Sequence, residues 1–214
     1  MKWVKKNIAS FDVDAEKCFT PLCPKELPVE NGHLIVNELN AQAKHAQFRI
    51  GSKDAHSPFA VWVTQDPAEI AKPIKNPGPN ADLKWTLHGV PGTKGFELLD
   101  GLPTPSEYDY FVWKGIEVDF HPYGACYHTM DEKLSTGVIE FLNSKNIHCV
   151  LIGGLALDFC VGITALQLSN AGFRVIVNKA ATRGITDGGI QKMLVNLKDK
   201  GVEIIDSAID INSL

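Results

Sequence analysis

The sequence predicts an α/β protein with a three-layer, doubly wound fold and a mostly parallel six-stranded sheet. Short apolar runs of strand length alternate with longer runs whose apolar residues recur at helical spacing. This alternation indicates βαβ units, whose crossover helices cover both faces of a parallel sheet. The 214 residues, 44% hydrophobic and 21% charged, are enough for one sizeable domain. We therefore expect a single domain over residues 1–214.

The elements follow from these runs in chain order. The predicted strands cover residues 8–13, 47–53, 108–113, 149–152, 173–177 and 202–205. The predicted helices cover residues 32–46, 131–144, 160–171 and 187–200. In the second of these helices, Leu134, Val138 and Leu142 share one face, as expected of an amphipathic helix packed on a sheet.

One long segment, at about residues 54–107, interrupts the alternation. It contains eight of the twelve prolines and few periodic runs. Segments of this length inside a domain are usually functional or disordered. Phe59, Trp62, Trp85 and Phe96 favour an ordered insertion, because disordered segments are poor in aromatic residues.

Charge and cysteine content limit the classes of binding partner and the cellular compartments that we expect. The net charge of −4 gives no basic excess, so we expect a small-molecule ligand rather than nucleic acid or a membrane. Five cysteines without paired spacing, and first residues without a secretory signal, predict a cytoplasmic protein with free thiols. Assembly into a homo-oligomer is left open.

Titratable residues follow the first four predicted strands. Asp12 ends the first strand, and the next three strands are followed by Asp54, Lys114 and Cys160. Ligands bind outside the carboxyl ends of strands in open α/β sheets. We therefore expect these four side chains to meet at one edge of the sheet.

Cys160 is the predicted nucleophile of this group. It stands where a helix should begin, and the N–H groups and dipole of a helix start stabilise a thiolate. Lys114 can hold that thiolate, and Asp12 can accept the thiol proton and later deliver it to a leaving group. The N–H groups of Ala156 and Cys160 can bind an oxyanion. The alternative is a buried structural thiol beside an ordinary carboxylate and a solvated lysine.

A second pattern is typical of a metal site. Asp54 and His56 form a D-x-H pair on an extended stretch, so both side chains point to the same side. His88 can add a third ligand and leave open positions for water or substrate. Mixed nitrogen and oxygen ligation suits one divalent transition metal ion, zinc first, with iron or manganese as alternatives. The plainer interpretation is a chance D-x-H and a loop histidine bound to backbone groups.

Taken in order, these motifs resemble the nicotinamidase (pyrazinamidase) family of isochorismatase-like cysteine hydrolases. The matching segments are FDVDAEKCFTP, KDAH (53–56), WTLHGVPGTKGFEL (85–98), VWKG (112–115) and GLALDFCV (154–161). The resemblance implies catalytic roles for Asp12, Lys114 and Cys160. It also implies metal ligation by the D-x-H pair and His88, which makes the long segment a metal-binding loop insertion.

The resemblance adds three details around the site. Trp85 and Phe19 match apolar walls for a substrate ring. The family carries a cis peptide before the oxyanion-hole alanine, which would be the Leu155–Ala156 bond here. The chain departs from the family two residues after the catalytic aspartate, where relatives often have glutamine and this chain has Asp14.

The implied activity is hydrolysis of nicotinamide to nicotinate and ammonia through a cysteine thioester, in NAD salvage. One alternative is a metal-independent amide or carbamoyl hydrolase of the same superfamily, against which the three metal-site residues argue. The other is a non-catalytic metal-binding module, which leaves the aspartate, lysine and cysteine at the strand ends unexplained.

Overall fold

The computed structural model describes residues 5–213 and confirms the predicted fold class. Its strands are β1 (Ile8–Val13), β2 (Phe48–Asp54), β3 (Tyr110–Lys114), β4 (Cys149–Leu155), β5 (Arg174–Arg183) and β6 (Glu203–Ile205). They form one sheet in the order β3-β2-β1-β4-β5-β6, and every pairing is parallel. The strand order reverses between β1 and β4, the place where such sheets bind ligands.

Helices cover both faces of this sheet. They are α1 (Val36–Ala43), α2 (Val138–Ser144), α3 (Gly162–Asn170) and α4 (Asp187–Asp199). On one face, Phe11 and Val13 of β1 share an apolar cluster with Leu142 of α2, Leu168 of α3 and Leu197 of α4. On the other face, α1 packs against β1, β4 and β5. Apolar burial on both faces stabilises the three layers.

The structure shifts several predicted boundaries. A 3₁₀ turn, Gly32–Ile35, precedes α1. The helix predicted from residue 131 begins only at Val138, because Gly137 adopts a left-handed conformation with φ 87°. The helix predicted from residue 160 begins at Gly162, after a π-helical segment, Leu157–Val161. The fifth strand continues to Arg183 rather than ending at residue 177.

The long segment is organised around buried aromatic residues. Trp62 and Trp85 are buried in one cluster with Tyr123. The Trp62 indole donates to the Phe120 carbonyl at 3.0 Å, and the Trp85 indole donates to the Tyr123 hydroxyl at 3.2 Å. These contacts tie the insertion to the chain after β3, and so place His88 at the carboxyl edge of the sheet.

None of the helices in residues 5–213 is long and apolar enough to span a membrane.

Candidate active site

Lys114, the last residue of β3, is the centre of a buried polar cluster. Its Nζ lies 3.1 Å from Asp14 Oδ2 and 3.7 Å from Cys160 Sγ. It also donates to Asp54 Oδ1 and, at 3.1 Å, to the Pro122 carbonyl. Burial alone would lower the pKa of Lys114, but Asp14 and Asp54 raise that pKa well above its usual value. The lysine is therefore a fixed cation beside the thiol.

Asp12, the predicted proton acceptor, lies outside this cluster. Its carboxylate accepts hydrogen bonds from Arg49 Nε at 2.8 Å and from the Tyr108 hydroxyl at 2.9 Å. Asp14, two residues later, is the carboxylate that faces Lys114. The expectation that Asp12 lies beside the lysine was wrong: the buried Asp12 carboxylate pairs with the partly exposed Arg49, and Asp14 occupies the position beside the thiol.

The backbone of Asp14 explains this difference. Residues two apart in a regular strand share a face, so Asp14 would be expected to follow Asp12. Asp14 instead has φ 45°, a left-handed conformation that aspartate tolerates better than most residues. Its side chain turns to Ser52, whose hydroxyl donates to it at 2.6 Å. Burial raises the pKa of Asp14 to about 6, against the opposing charge of Lys114.

Cys160 lies in the π-helical segment, two residues before α3 begins. Burial raises the pKa of its thiol well above the usual value, although Lys114 acts in the opposite direction. A thiol with a raised pKa needs a base to accept its proton before it can attack. One side-chain ligand atom from each of Asp14, Asp54 and Cys160 lies within 4.8 Å of the other two, so the Asp14 carboxylate is close enough to act as that base.

A second cluster adjoins the first through Asp54. Its Oδ2 lies 3.4 Å from His56 Nε2 and 3.7 Å from His88 Nε2. His56 Nδ1 bonds to the Gly115 carbonyl at 3.0 Å, and His88 Nδ1 bonds to the Thr86 carbonyl at 2.7 Å. A carbonyl partner requires the proton on Nδ1, which leaves Nε2 as a free donor of electrons to a metal.

The donor set of this cluster fits a divalent transition ion. His56 Nε2 and both ring nitrogens of His121 are buried and have no hydrogen-bond partner within residues 5–213. Burial lowers the pKa of His56, and lowers that of His121 well below the usual range, so both rings are neutral as ligands must be. The sequence analysis missed His121, because it follows β3 in an irregular loop and has no ligand-like spacing to the other histidines.

A narrow cavity of about 20 Å³ joins the two clusters. The predicted ring walls and oxyanion residues line it together with the nucleophile and histidines: Phe19, Trp85, His88, His121, Ala156 and Cys160. The Leu155–Ala156 peptide bond is cis, as the resemblance implies. The arrangement thus places a thiol, a carboxylate and a cation beside aromatic side chains and a group of histidines that could hold a metal ion.

Comparisons with known proteins agree with this geometry. The nicotinamidase of Acinetobacter baylyi is 33% identical to the chain over 124 residues, which are 58% of this chain and 57% of that protein. The nicotinamidase of Saccharomyces cerevisiae is 26% identical over 171 residues, 77% of this chain and 74% of that protein. The chain therefore aligns with little more than half of the first relative.

Similarity in three dimensions extends further along the chain. A solved structure described as Acinetobacter baumanii nicotinamidase pyrazinamidase superposes with a TM-score of 0.85 and 25% identity, over 96% of this chain and 98% of that one. The sequence model of the isochorismatase domain matches residues 35–209. With most of its length matched by that model, the chain belongs to the isochorismatase family.

Proposed function

We propose that this protein is a nicotinamidase, an amidohydrolase that converts nicotinamide to nicotinate and ammonia in cytoplasmic NAD salvage. The observation that carries the proposal is the buried cluster of Asp14, Lys114 and Cys160 beside the aromatic cavity. The nicotinamidase relatives support the choice of substrate. The cysteines of residues 5–213 are all free thiols, which supports a reducing compartment.

The first half of the reaction forms a thioester. Cys160 Sγ attacks the carboxamide carbon while its proton passes to Asp14, and Lys114 stabilises the sulfur as it becomes anionic. Backbone N–H groups of Ala156 and Cys160 are proposed to bind the oxyanion. Asp14 then delivers its proton to the amide nitrogen, the C–N bond breaks, and ammonia leaves. A carboxyl group with a pKa of about 6 can accept and release a proton near neutral pH.

The second half regenerates the thiol. Asp14, again ionised, removes a proton from a water molecule, and that water attacks the thioester carbon. The C–S bond breaks, nicotinate is released, and the Cys160 sulfur recovers a proton from Asp14. One carboxylate therefore serves both halves, which requires it to stay within reach of sulfur and of substrate.

Asp54, His56 and His88 are proposed to hold the divalent ion, with zinc as first choice for this donor set. When bound, the ion supplies a Lewis-acid position for the pyridine nitrogen of the substrate. Phe19 and Trp85 pack against the faces of the substrate ring and exclude water from it. Binding of the pyridine ring by these groups would orient the carboxamide toward Cys160.

Ammonia release from nicotinamide tests the proposal. Purified protein loaded with zinc should release ammonia and nicotinate in equal amounts, and Cys160→Ala should release neither while remaining folded. Turnover that survives complete removal of the metal would favour the metal-independent amidase. Absence of ammonia from the loaded, folded protein would contradict the proposed function.

A further inference from the structure

We propose that His121, in the loop after β3, is a fourth protein ligand of the metal ion. The inference rests on the metal site of the proposed function and extends its ligand set to three imidazoles and one carboxylate. The first three ligands come from the end of β2 and from the long insertion. The fourth comes from a different part of the chain, beyond the strand that carries Lys114.

The positions of the rings support a shared ion. His56, His88 and His121 each offer a ring nitrogen, and these three atoms lie within 4.8 Å of one another. The ring of His121 has its centroid 4.9 Å from that of His56 and 5.6 Å from that of His88. Zinc–nitrogen bonds of about 2.0–2.1 Å place two ligand nitrogens roughly 3.4 Å apart in a tetrahedral site. Side-chain rotations that move each ring nitrogen by roughly 1 Å or less therefore suffice to bring all three within bonding distance of one ion.

The environment of His121 is unusual for a structural core residue. Its side chain is buried, yet neither ring nitrogen has a hydrogen-bond partner within the described part of the chain. A neutral imidazole has one donor and one acceptor nitrogen, and burying both without partners costs stability. Coordination to a metal satisfies the acceptor nitrogen. His121 also lines the cavity that contains Cys160, so an ion at this place stands beside the substrate.

Protein contacts hold the backbone on both sides of His121. The preceding carbonyl, of Phe120, accepts the Trp62 indole N–H at 3.0 Å. The following carbonyl, of Pro122, accepts Lys114 Nζ at 3.1 Å. The ring therefore projects from a fixed segment and is preorganised for binding. The same segment orients the catalytic lysine, so the ligand and the lysine are positioned together.

Metal affinity is the direct test. The full-length chain and its variants are stripped, and the zinc dissociation constant is measured by competition with a chromophoric chelator. The visible spectrum of the cobalt form then reports the ligand set. His121→Phe, which keeps ring volume, and His121→Ala should both bind zinc about 100-fold or more weakly and change the cobalt spectrum. His148→Ala removes an exposed histidine and should change neither reading.

X-ray absorption of the zinc-loaded wild-type protein gives a second measurement that needs no variant. Three imidazoles around zinc support the inference, and two overturn it even if the variants fail to fold. Unchanged zinc affinity and an unchanged cobalt spectrum in folded His121→Phe also overturn it. Failure of the wild-type protein to bind zinc would overturn the metal site as a whole, and absence of nicotinamide turnover in a zinc-loaded protein would contradict the proposed function separately.

Discussion

One carboxylate oxygen of Asp54 accepts a hydrogen bond from Lys114, while its other oxygen faces the ring nitrogens of His56 and His88. The Asp54 side chain thus belongs both to the polar cluster around Lys114 and to the histidine cluster. Burial alone would raise the pKa of Asp54, but Lys114 holds it well below the usual range, so the carboxylate is ionised. The two clusters are chemically distinct but electrostatically coupled through this residue.

Replacing Asp54 and replacing His56 should therefore have different effects. We expect His56→Ala to lose metal and nicotinamide turnover, while Cys160 still reacts with a small alkylating agent, because Lys114 and Asp14 are untouched. Asp54→Ala should lose metal and also alter the alkylation rate, because it removes a partner of Lys114. Metal analysis and timed alkylation on both folded variants check this. Loss of thiol reactivity in His56→Ala would show that the ion itself activates the nucleophile.

Substitution of the two aspartates near the end of β1 should have different effects, one on catalysis and the other on stability. Asp14→Asn should lower kcat by at least about 100-fold, the usual scale for general acid–base catalysis, with the fold retained. Asp12→Asn should keep catalysis but lower the free energy of unfolding by about 1–3 kcal/mol, because it weakens the hydrogen-bonded pair with the partly exposed Arg49. Steady-state kinetics of the two matched variants gives kcat, and denaturant unfolding gives the free energy of unfolding. The reverse pattern would restore Asp12 as the catalytic carboxylate.

The pH dependence of kcat/KM should follow the ionisation of Asp14. Burial raises the pKa of this carboxyl to about 6, and only the ionised form can accept the thiol proton. The value of kcat/KM should therefore be level above pH 6 and fall about tenfold per unit below it. The measurement is made at saturating zinc, with metal content verified at each pH so that loss of the ion is not mistaken for protonation. A level profile down to pH 5 in the loaded enzyme would exclude Asp14 as the base.

Removing the cation at Lys114 should make the thiol less reactive. Lys114→Met keeps much of the side-chain volume but raises the pKa of Cys160 further, because the opposing charge is lost. A rise of one pKa unit corresponds to about tenfold slower alkylation near neutral pH. Lys133→Met, at an exposed lysine, is the control and should react at the wild-type rate. Unchanged kinetics in folded Lys114→Met would mean that the lysine does not stabilise the thiolate.

Apolar periodicity was enough to predict the sheet and most of its helices. The runs that became β1 and β4 are short and rich in apolar residues, and burial on both faces of a parallel sheet produces such runs. The predicted parallel sheet also implied that Asp54, Lys114 and Cys160 lie close together, because the carboxyl ends of parallel strands meet at one edge. The structure shows both contacts of Lys114.

Two site residues lay beyond that reasoning for physical reasons. Asp14 reaches Lys114 only because its backbone leaves the strand conformation, and aspartate at that position does not by itself signal a positive φ. His121 is held near the histidine pair partly by the contact of Phe120 with Trp62, which is 58 residues away, so no local spacing in the sequence indicates its position. Irregular backbone therefore accounts for both omissions.

The strand order has a consequence for how the chain reaches its native state. Lys114 and Cys160 are 46 residues apart in sequence, and Asp14 joins them from the first strand. Parallel pairings close long loops, and structures rich in such non-local pairings fold slowly. We expect β1–β4 to be assembled before Cys160 comes to lie beside Lys114 and Asp14. The approach of Lys114 to the Cys160 thiol would then mark a late stage of folding, and a change in the rate of alkylation at that thiol would report when the sheet is complete.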